Sequence, residues 1–137
     1  MVFLDTNVLV YAAIEQDRRK QTKAAQILMI AKEHDTCAIS LQVLREFANV
    51  MYHKSDFTHR EIREMVRNFQ TLPCIADSEE QLFRGMEIKE RHGLQFYDAL
   101  VVASAEAAGC DTIYSEDLSD GAVYEGIRVE NPFATRL

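Results

Sequence analysis

The sequence predicts a protein of the α/β class, in which helices lie on both faces of a central parallel sheet. Three observations support this fold class. Short apolar runs alternate with longer helical segments along the chain, as in proteins built from β-α-β units. The first run, at residues 2–4, is apolar throughout, which is typical of a strand covered on both faces. Hydrophobic residues make up 47% of the 137 residues, enough for the core of one domain spanning residues 1–137.

Five segments have the composition and length of short strands, so a sheet of about five parallel strands is expected. They lie at residues 2–4, 36–40, 73–76, 112–115 and 127–129. Helical patterns occupy most of the chain between them, and neither an internal repeat nor a linker divides it. We therefore expect a three-layer α/β/α arrangement built as a single unit.

Polar residues and a glycine mark where several helices begin and end. Thr58 with Glu61, and Ser78 with Gln81, have the spacing of capping boxes. In a capping box, a hydroxyl and an acidic or amide side chain satisfy the first free N–H groups of a helix. Gly109 ends the helix that is expected before it. These signals predict two helices in the middle of the chain and one that closes before the strand at 112–115.

Four acidic residues lie where this fold would bring them together. Asp5 follows the first predicted strand, and Asp117 follows the strand at 112–115. Glu46 and Asp98 lie near the beginning of predicted helices. The carboxyl ends of parallel strands meet at one edge of a sheet, where ligands bind in open α/β sheets. We therefore expect the four carboxylates at that edge.

The helical positions of Glu46 and Asp98 differ from those of ordinary surface acids. Glu46 lies beside Val50, at the edge of the apolar stripe of its helix, so we expect it to be half-buried. Asp98 shares a face with Val101 and Val102, so its carboxylate is expected to point toward the core. Helix capping explains this only in part, since a cap usually precedes the first turn. For each acid alone, a simple role in a cap or turn remains an alternative.

Four ionised carboxylates cannot share one pocket without compensation. Each pair about 4 Å apart repels by roughly 4 kcal/mol at an effective dielectric constant of 20. Protons or cations must offset this repulsion, and no His or Cys accompanies the acids. The expected cation is therefore hard and oxygen-binding, Mg²⁺ or Mn²⁺. Such a site suits phosphodiester hydrolysis by one or two ions, because a bound ion lowers the pKa of a water.

Four segments with the expected order and spacing carry a resemblance to a known family. They are DTNVLVY at 5–11, SLQVLREF at 40–47, FYDALVVASA at 96–105 and YSEDLSDG at 114–121, with VENPF closing the series at 129–133. Together they resemble the PIN domain family, and in particular its bacterial toxin-type (VapC-like) ribonucleases. The resemblance covers nearly the whole chain. It implies a PIN fold, with a parallel sheet of about five strands flanked by helices.

The resemblance also implies a function and a set of site residues. It implies an endoribonuclease that depends on Mg²⁺ or Mn²⁺, acts on RNA, is restrained by a cognate antitoxin protein and forms a homodimer. The acids that match the family's catalytic, metal-binding quartet are Asp5, Glu46, Asp98 and Asp117. The supporting polar positions are matched by Thr6, Asn7 and Ser115. Asp120 matches an extra acid that only some members have.

The net charge of the chain does not exclude a nucleic-acid partner. A net charge of −7 argues against a polyanionic partner, but several acids could belong to one metal site, so RNA is not excluded. A basic cluster occupies the beginning of the second helical segment. It consists of Arg18, Arg19, Lys20 and Lys23. This cluster is either a solvated helix face or a surface that follows an RNA backbone.

Cysteine usage and hydropathy indicate where the protein is located. The three cysteines, Cys37, Cys74 and Cys110, are far apart, so neither disulfides nor a zinc site is expected. The longest apolar run, at residues 8–14, is too short to cross a membrane. The chain also lacks the pattern of a signal peptide. We expect a cytoplasmic protein that does not bind membranes.

Two other functions fit parts of the sequence. A catalytically inactive PIN-fold binding or scaffolding protein would use the acids only as caps and turn residues. A phosphotransfer or phosphatase domain would need a second acid two residues after Asp5 and a lysine near a late strand. The sequence has Asn7 at that position and no lysine after Lys89. The phosphotransfer alternative is therefore disfavoured, whereas the inactive protein stays open.

Overall fold

A central sheet and six helices make up residues 1–134, the part of the chain that the structure, a computed structural model, describes. The strands are β1 (Val2–Leu4), β2 (Cys37–Ser40), β3 (Cys74–Ile75), β4 (Thr112–Tyr114), β5 (Val123–Tyr124) and β6 (Ile127–Glu130). The helices are α1 (Thr6–Ala13), α2 (Arg18–His34), α3 (Leu41–Lys54), α4 (His59–Phe69), α5 (Glu79–His92) and α6 (Phe96–Ala107).

The sheet has the strand order β3-β2-β1-β4-β6-β5. β1 pairs in parallel with β2 on one side and with β4 on the other. β3 extends the parallel pairing beyond β2, and β6 extends it beyond β4. The predicted α/β class with a mainly parallel sheet is therefore confirmed.

The edge strand β5 adds a sixth strand to the five parallel strands that were expected. It pairs antiparallel with β6, with Tyr124 opposite Ile127. Glu125 and Gly126, which join the two strands, both have positive φ angles, of 52° and 81°. Positive φ at both central residues is what the commonest two-residue hairpin turn requires. The sequence did not predict β5 because a strand of two residues is too short to show alternation.

The helix caps follow the sequence signals with one exception. The Oγ of Ser40 accepts a hydrogen bond at the beginning of α3, and the capping box of Thr58 and Glu61 is complete. At α5, Ser78 accepts a hydrogen bond from the backbone N–H of Gln81. The side-chain amide oxygen of Gln81 is buried with no hydrogen-bond donor in the described part of the chain, and the side chain lines a cavity. The second predicted capping box is therefore only half formed.

The core lies between the sheet and the helices that pack on it. Phe3 and Leu4 of β1 and Ile113 of β4 are fully buried, as are Phe47 of α3 and Val102 of α6. α6 packs against β1, β2, β4 and β6, and α1 packs against α2 and α3. This packing is consistent with the predicted three-layer arrangement.

All three cysteines are free, and Cys37 and Cys110 are buried as small core side chains. Within residues 1–134, no helix has both the length and the apolar character needed to cross a bilayer.

The ends of three neighbouring strands are tied together at one edge of the sheet. The N–H of Asp5, just after β1, donates a hydrogen bond to the carbonyl of Tyr114, the last residue of β4, at 3.0 Å. The N–H of Ser115 donates to the carbonyl of Glu130, at the end of β6, at 3.1 Å. The residues that follow β1 and β4 therefore begin side by side.

Candidate acidic site

The four acids predicted from the sequence lie at this edge and define what we call the acidic site. Asp5 follows β1 and caps α1, Asp117 lies in the loop after β4, Glu46 is in the second turn of α3 and Asp98 is in the first turn of α6. Burial raises the pKa values of Asp5 and Asp98, and repulsion from Asp117 and Glu46 adds to the rise in both. Asp117 and Glu46 are therefore both within electrostatic range of the two carboxylates whose pKa values rise.

Asp5 is the most deeply buried of the four. Only 5% of the residue is exposed. Its Oδ1 accepts a hydrogen bond from the N–H of Thr6 at 2.8 Å, and its Oδ2 accepts one from the hydroxyl of Ser115 at 2.7 Å. Burial raises the pKa of Asp5 to about 6, although these two hydrogen bonds oppose the rise. The carboxylate is therefore held in one orientation, but burial disfavours its ionised form.

Glu46 is half-buried, as expected, and hydrogen bonds hold both of its oxygens. The hydroxyl of Thr6 donates to Oε2 at 2.7 Å. The side-chain amide of Gln42 donates to Oε1 at 3.1 Å. Gln42 is a supporting residue that the sequence reasoning missed. Its signal was its position one helical turn before Glu46, a spacing at which amide and acidic side chains meet.

Asp117 is exposed and is positioned by Asn7. The side-chain amide of Asn7 donates to Oδ2 of Asp117 at 3.3 Å, and its oxygen accepts a bond from the N–H of Glu116 at 3.2 Å. The Oγ of Ser115 accepts bonds from the N–H groups of Asp117 and Leu118, at 3.0 and 3.2 Å. Ser115 therefore orients Asp5 and folds the loop that carries Asp117.

Asp98 differs from the other three acids because no described residue donates a hydrogen bond to its carboxylate. It is half-buried at the edge of the α6 face that carries the buried Val101 and Val102. Burial raises its pKa first, followed by repulsion from Asp117 and Glu46. Both of its oxygens are therefore available to a ligand.

Asp120 is engaged in a backbone contact at the far end of the same loop. Its Oδ1 accepts a hydrogen bond from the N–H of Asn131 at 2.9 Å. This contact ties the loop after β4 to the residues after β6. A structural role accounts for this contact, and a role of Asp120 as an extra metal ligand remains a prediction.

Comparison with known proteins decides the family. A sequence model of the PIN domain family matches residues 2–119. The chain belongs to the PIN domain family. Among curated proteins, none matches the chain.

Solved structures share the PIN fold at low sequence identity. The VapC20 toxin of Mycobacterium tuberculosis, described as cleaving the Sarcin-Ricin loop, has a TM-score of 0.68 and 19% identity, over 85% of this chain and 90% of that one. A toxin-antitoxin complex from Klebsiella pneumoniae has a TM-score of 0.71 and 21% identity, over 96% and 98%. VapBC2 from Rickettsia felis, bound to a promoter DNA fragment, has a TM-score of 0.66 and 22% identity, over 96% and 98%.

The donor set of this PIN domain fits a hard divalent cation in its chemistry. All four side chains offer carboxylate oxygen, the ligand type that Mg²⁺ and Mn²⁺ take. Within residues 1–134, no three His, Cys, Asp or Glu side chains are already clustered tightly enough to surround an ion. Mg²⁺ usually binds one or two protein carboxylates and completes its shell with water and phosphate. The arrangement therefore fits an open site and not a closed protein cage.

One further group beside the site was not anticipated from the sequence. The hydroxyl of Tyr11 and the ammonium of Lys20 each donate to the carboxylate of Glu116, both at 2.6 Å. Burial raises the pKa of Glu116, but these partners outweigh it, so the pKa lies below its ordinary value. The contacts join residues about 100 positions apart, so no local pattern could reveal them. Glu116 is neutralised by Lys20, unlike its neighbour Asp117.

Proposed function

We propose that this PIN domain is a metal-dependent endoribonuclease that hydrolyses RNA phosphodiester bonds as the toxin of a toxin-antitoxin pair. One observation carries the proposal. Four carboxylates meet at one sheet edge, two of them within electrostatic range of the other two, and the side chains that hydrogen-bond them within residues 1–134 are neutral. Unpaired carboxylates in such a cluster destabilise the fold, and a divalent cation would relieve the repulsion. The destabilisation by these carboxylates is explained if the cluster binds a cation.

The proposed roles follow from the contacts of each acid. The residues that would hold Mg²⁺ or Mn²⁺ are Asp5, Glu46, Asp98 and Asp117. When bound, such an ion lowers the pKa of a water and offsets charge on the phosphate. Asp5 and Glu46 are fixed by hydrogen bonds to both oxygens, so they would set the position of the site. Asp98 has both oxygens available and would adjust to the ligand.

The supporting residues would act by holding the acids. Thr6 donates its hydroxyl to Glu46, Asn7 donates its amide to Asp117, and Ser115 donates its hydroxyl to Asp5. Polar groups that orient metal-binding carboxylates typically contribute 10- to 100-fold to metal affinity or activity. Loss of any one of them should therefore weaken metal binding without unfolding the protein.

The partners are proposed from the structures that share the fold. The Mycobacterium tuberculosis protein is described as a toxin that cleaves the Sarcin-Ricin loop, and the Klebsiella pneumoniae structure as a toxin-antitoxin complex. We extend to this chain an RNA substrate, a cognate antitoxin, a homodimer and a cytoplasmic location. Exposed apolar side chains suited to protein contacts lie on α2, at Met29 and Ile30, and on α5, at Phe83 and Met86.

A cleavage assay tests the proposed activity. Purified protein is incubated with mixed RNA and Mn²⁺, with and without EDTA, beside Asp5→Asn. Cleavage should require Mn²⁺, stop in EDTA and be lost in the variant. If the folded wild-type protein does not cut RNA in Mn²⁺, an inactive PIN-fold binding or scaffolding protein is the better explanation. Toxicity on expression that Asp5→Asn relieves would support the role as a toxin.

A further inference from the structure

A cavity of about 570 Å³ opens directly beside the acidic site. Glu46 forms part of its wall, so the cavity and the acidic site share a side chain. The remaining wall comes from α3, from the segment after β3, from α5 and from α6. A ligand whose phosphate lies at the acids could therefore place a neighbouring group in this cavity.

The cavity combines an apolar floor with an unused polar group. Ile75, Leu82 and Leu100 supply apolar surface, and the buried Ser104 adds a hydroxyl. The side-chain amide oxygen of Gln81 is buried and has no hydrogen-bond partner within residues 1–134. Because buried acceptors nearly always have a donor, this oxygen requires an explanation. The terminal torsion of a Gln side chain is broad, so a small rotation can turn the amide toward a donor on a ligand.

The Gln81 side chain also does not make the local hydrogen bond that its position permits. Its spacing from Ser78 is that of a capping box, and Ser78 makes its half of the box. If the Gln81 side chain accepted a hydrogen bond from the backbone N–H of Ser78, as in a complete capping box, its amide oxygen would be satisfied. The side chain instead lines the cavity.

Two aromatic rings stand at the mouth of the cavity. Phe96 and Tyr97 begin α6, and their ring centroids lie 5.5 Å apart. Tyr97 is 64% exposed, which leaves most of its ring uncovered. Exposed aromatic rings beside a phosphate-binding site are the usual platform on which unpaired bases stack.

We propose that this cavity binds an unpaired RNA base next to the scissile phosphate, stacked on Tyr97 and hydrogen-bonded by the amide of Gln81. The inference rests on the proposed ribonuclease function and adds a specificity subsite to it. A glutamine amide offers one acceptor and two donors, and it pairs well with a base that carries an exocyclic amino group. Every base presents a donor beside an acceptor on its Watson–Crick edge, which in uracil are N3–H and O4, so the amide can pair with any of the four. The orientation in which the cavity holds the base decides which donor and acceptor face Gln81, so the subsite sets a base preference at one position beside the cut.

Three variants separate this subsite from the rest of the protein. Tyr97→Ala removes the stacking ring, and Tyr52→Ala is its matched control, because Tyr52 is also exposed, at 52%, but does not line the cavity. Gln81→Met keeps the length of the side chain and removes the unsatisfied oxygen. It should therefore fold with an equal or higher Tm.

The test measures cleavage and base stacking separately. A random single-stranded RNA pool is cut in Mn²⁺ and the ends are sequenced. We expect wild type to show a base preference at one position beside the cut, Gln81→Met to lose that preference, and Tyr97→Ala to cut about tenfold more slowly, while Tyr52→Ala is unchanged. In EDTA, a short oligoribonucleotide containing 2-aminopurine should lose fluorescence on binding to wild type and Tyr52→Ala but not to Tyr97→Ala.

The outcomes distinguish the subsite from the nuclease proposal. If wild type cuts RNA but Tyr97→Ala matches Tyr52→Ala in both assays, and Gln81→Met keeps the wild-type pattern, the subsite is wrong and the nuclease stands. If 2-aminopurine is quenched without Mn²⁺-dependent cleavage, the subsite stands and the nuclease proposal fails. If Tyr97→Ala changes only the sedimentation of the protein, the cavity mouth contacts another protein copy and the inference is overturned.

Discussion

Acidic side chains have opposite electrostatic surroundings in two regions of this molecule. At the acidic site, neutral hydroxyl and amide groups hold three of the four carboxylates, and burial raises the pKa values of Asp5 and Asp98. At what we call the Glu125 cluster, Glu125 receives hydrogen bonds from Arg84, Arg91 and His92. These bonds, led by the one from His92, lower the pKa of Glu125 to about 2.

The difference separates acids that stabilise the fold from acids that destabilise it. The Glu125 cluster joins the β5–β6 turn to α5, and Arg84 also reaches Glu106 of α6. Its charges are paired within the protein. The charges at the acidic site repel one another without a described cation between them. Acids that are costly in the isolated protein and gathered in one place are candidates for binding a ligand that balances them.

The largest expected effect is on catalysis, and two equivalent substitutions test the comparison. Asp98→Asn and Glu125→Gln each change one acid to its amide. Asp98 loses no hydrogen bond within residues 1–134, so the substitution removes charge and little else. RNA cleavage in Mn²⁺ should fall more than about a hundredfold in Asp98→Asn, beyond the usual effect of a supporting residue, and stay near wild type in Glu125→Gln. Equal activity of the two variants would remove the distinction between the regions.

The next effect concerns the stability of the metal-free protein. The folded pKa of Asp5, about 6, lies above its ordinary value of 3.8, so the folded state holds an extra proton between these pH values. Stability contributed by the protonated Asp5 is therefore lost as the pH rises from about 4 to about 6, by at most about 3 kcal/mol.

Urea unfolding in EDTA across this pH range measures that loss. The free energy of unfolding of wild type, relative to Asp5→Asn, should decline toward pH 7. The hydrogen bond from Ser115 that the variant loses adds an offset but little pH dependence. A constant difference between the two proteins would show that Asp5 ionises normally in the fold.

Sequence patterns revealed the acids but not all of their surroundings. Asp5 and Asp98 were found because a strand end and a helical phase are local properties of the chain. The two-residue strand β5 gave no such signal, so the Glu125 cluster, which depends on its turn, was not predicted. The contact of Lys20 with Glu116 was also hidden, because the two residues lie about 100 positions apart in the sequence. At Gln81 the capping pattern predicted the hydrogen bond accepted by Ser78 correctly and the return bond from Ser78 wrongly, because the Gln81 side chain lines a cavity formed with other elements, which the local sequence does not reveal.

The Glu125 cluster should affect stability and not activity. Glu125→Gln leaves Arg84 and Arg91 without their shared carboxylate. We expect the Tm at pH 7 to fall by roughly 5 °C. The stability that the cluster contributes is present above the ordinary pKa of a glutamate and is lost as the pH falls toward about 2, so wild type and variant should converge in acid. Thermal melts at several pH values measure both effects, and an unchanged Tm at pH 7 would show that the cluster does not stabilise the hairpin.

The smallest effect is expected from the basic cluster at the beginning of α2. Lys20 is already paired with Glu116, and Arg19 donates to the carbonyl of Phe133. Replacing Arg18, Arg19, Lys20 and Lys23 with Gln should therefore reduce the slope of log affinity for single-stranded RNA against log salt by no more than about 3. Binding titrations at several salt concentrations give the slope. An unchanged slope would show that RNA does not follow this surface.

The central claim is that the acidic site is balanced by a divalent cation, and a melting experiment with Mn²⁺ tests it most directly. A ligand that binds only the folded state at 100 times its Kd adds about 2.7 kcal/mol of stability. The Tm of wild type should rise as Mn²⁺ is added, the rise should disappear in Asp98→Asn, and it should persist in Glu125→Gln. If millimolar Mn²⁺ leaves the wild-type Tm unchanged, or raises that of Asp98→Asn equally, the four acids do not form a cation site.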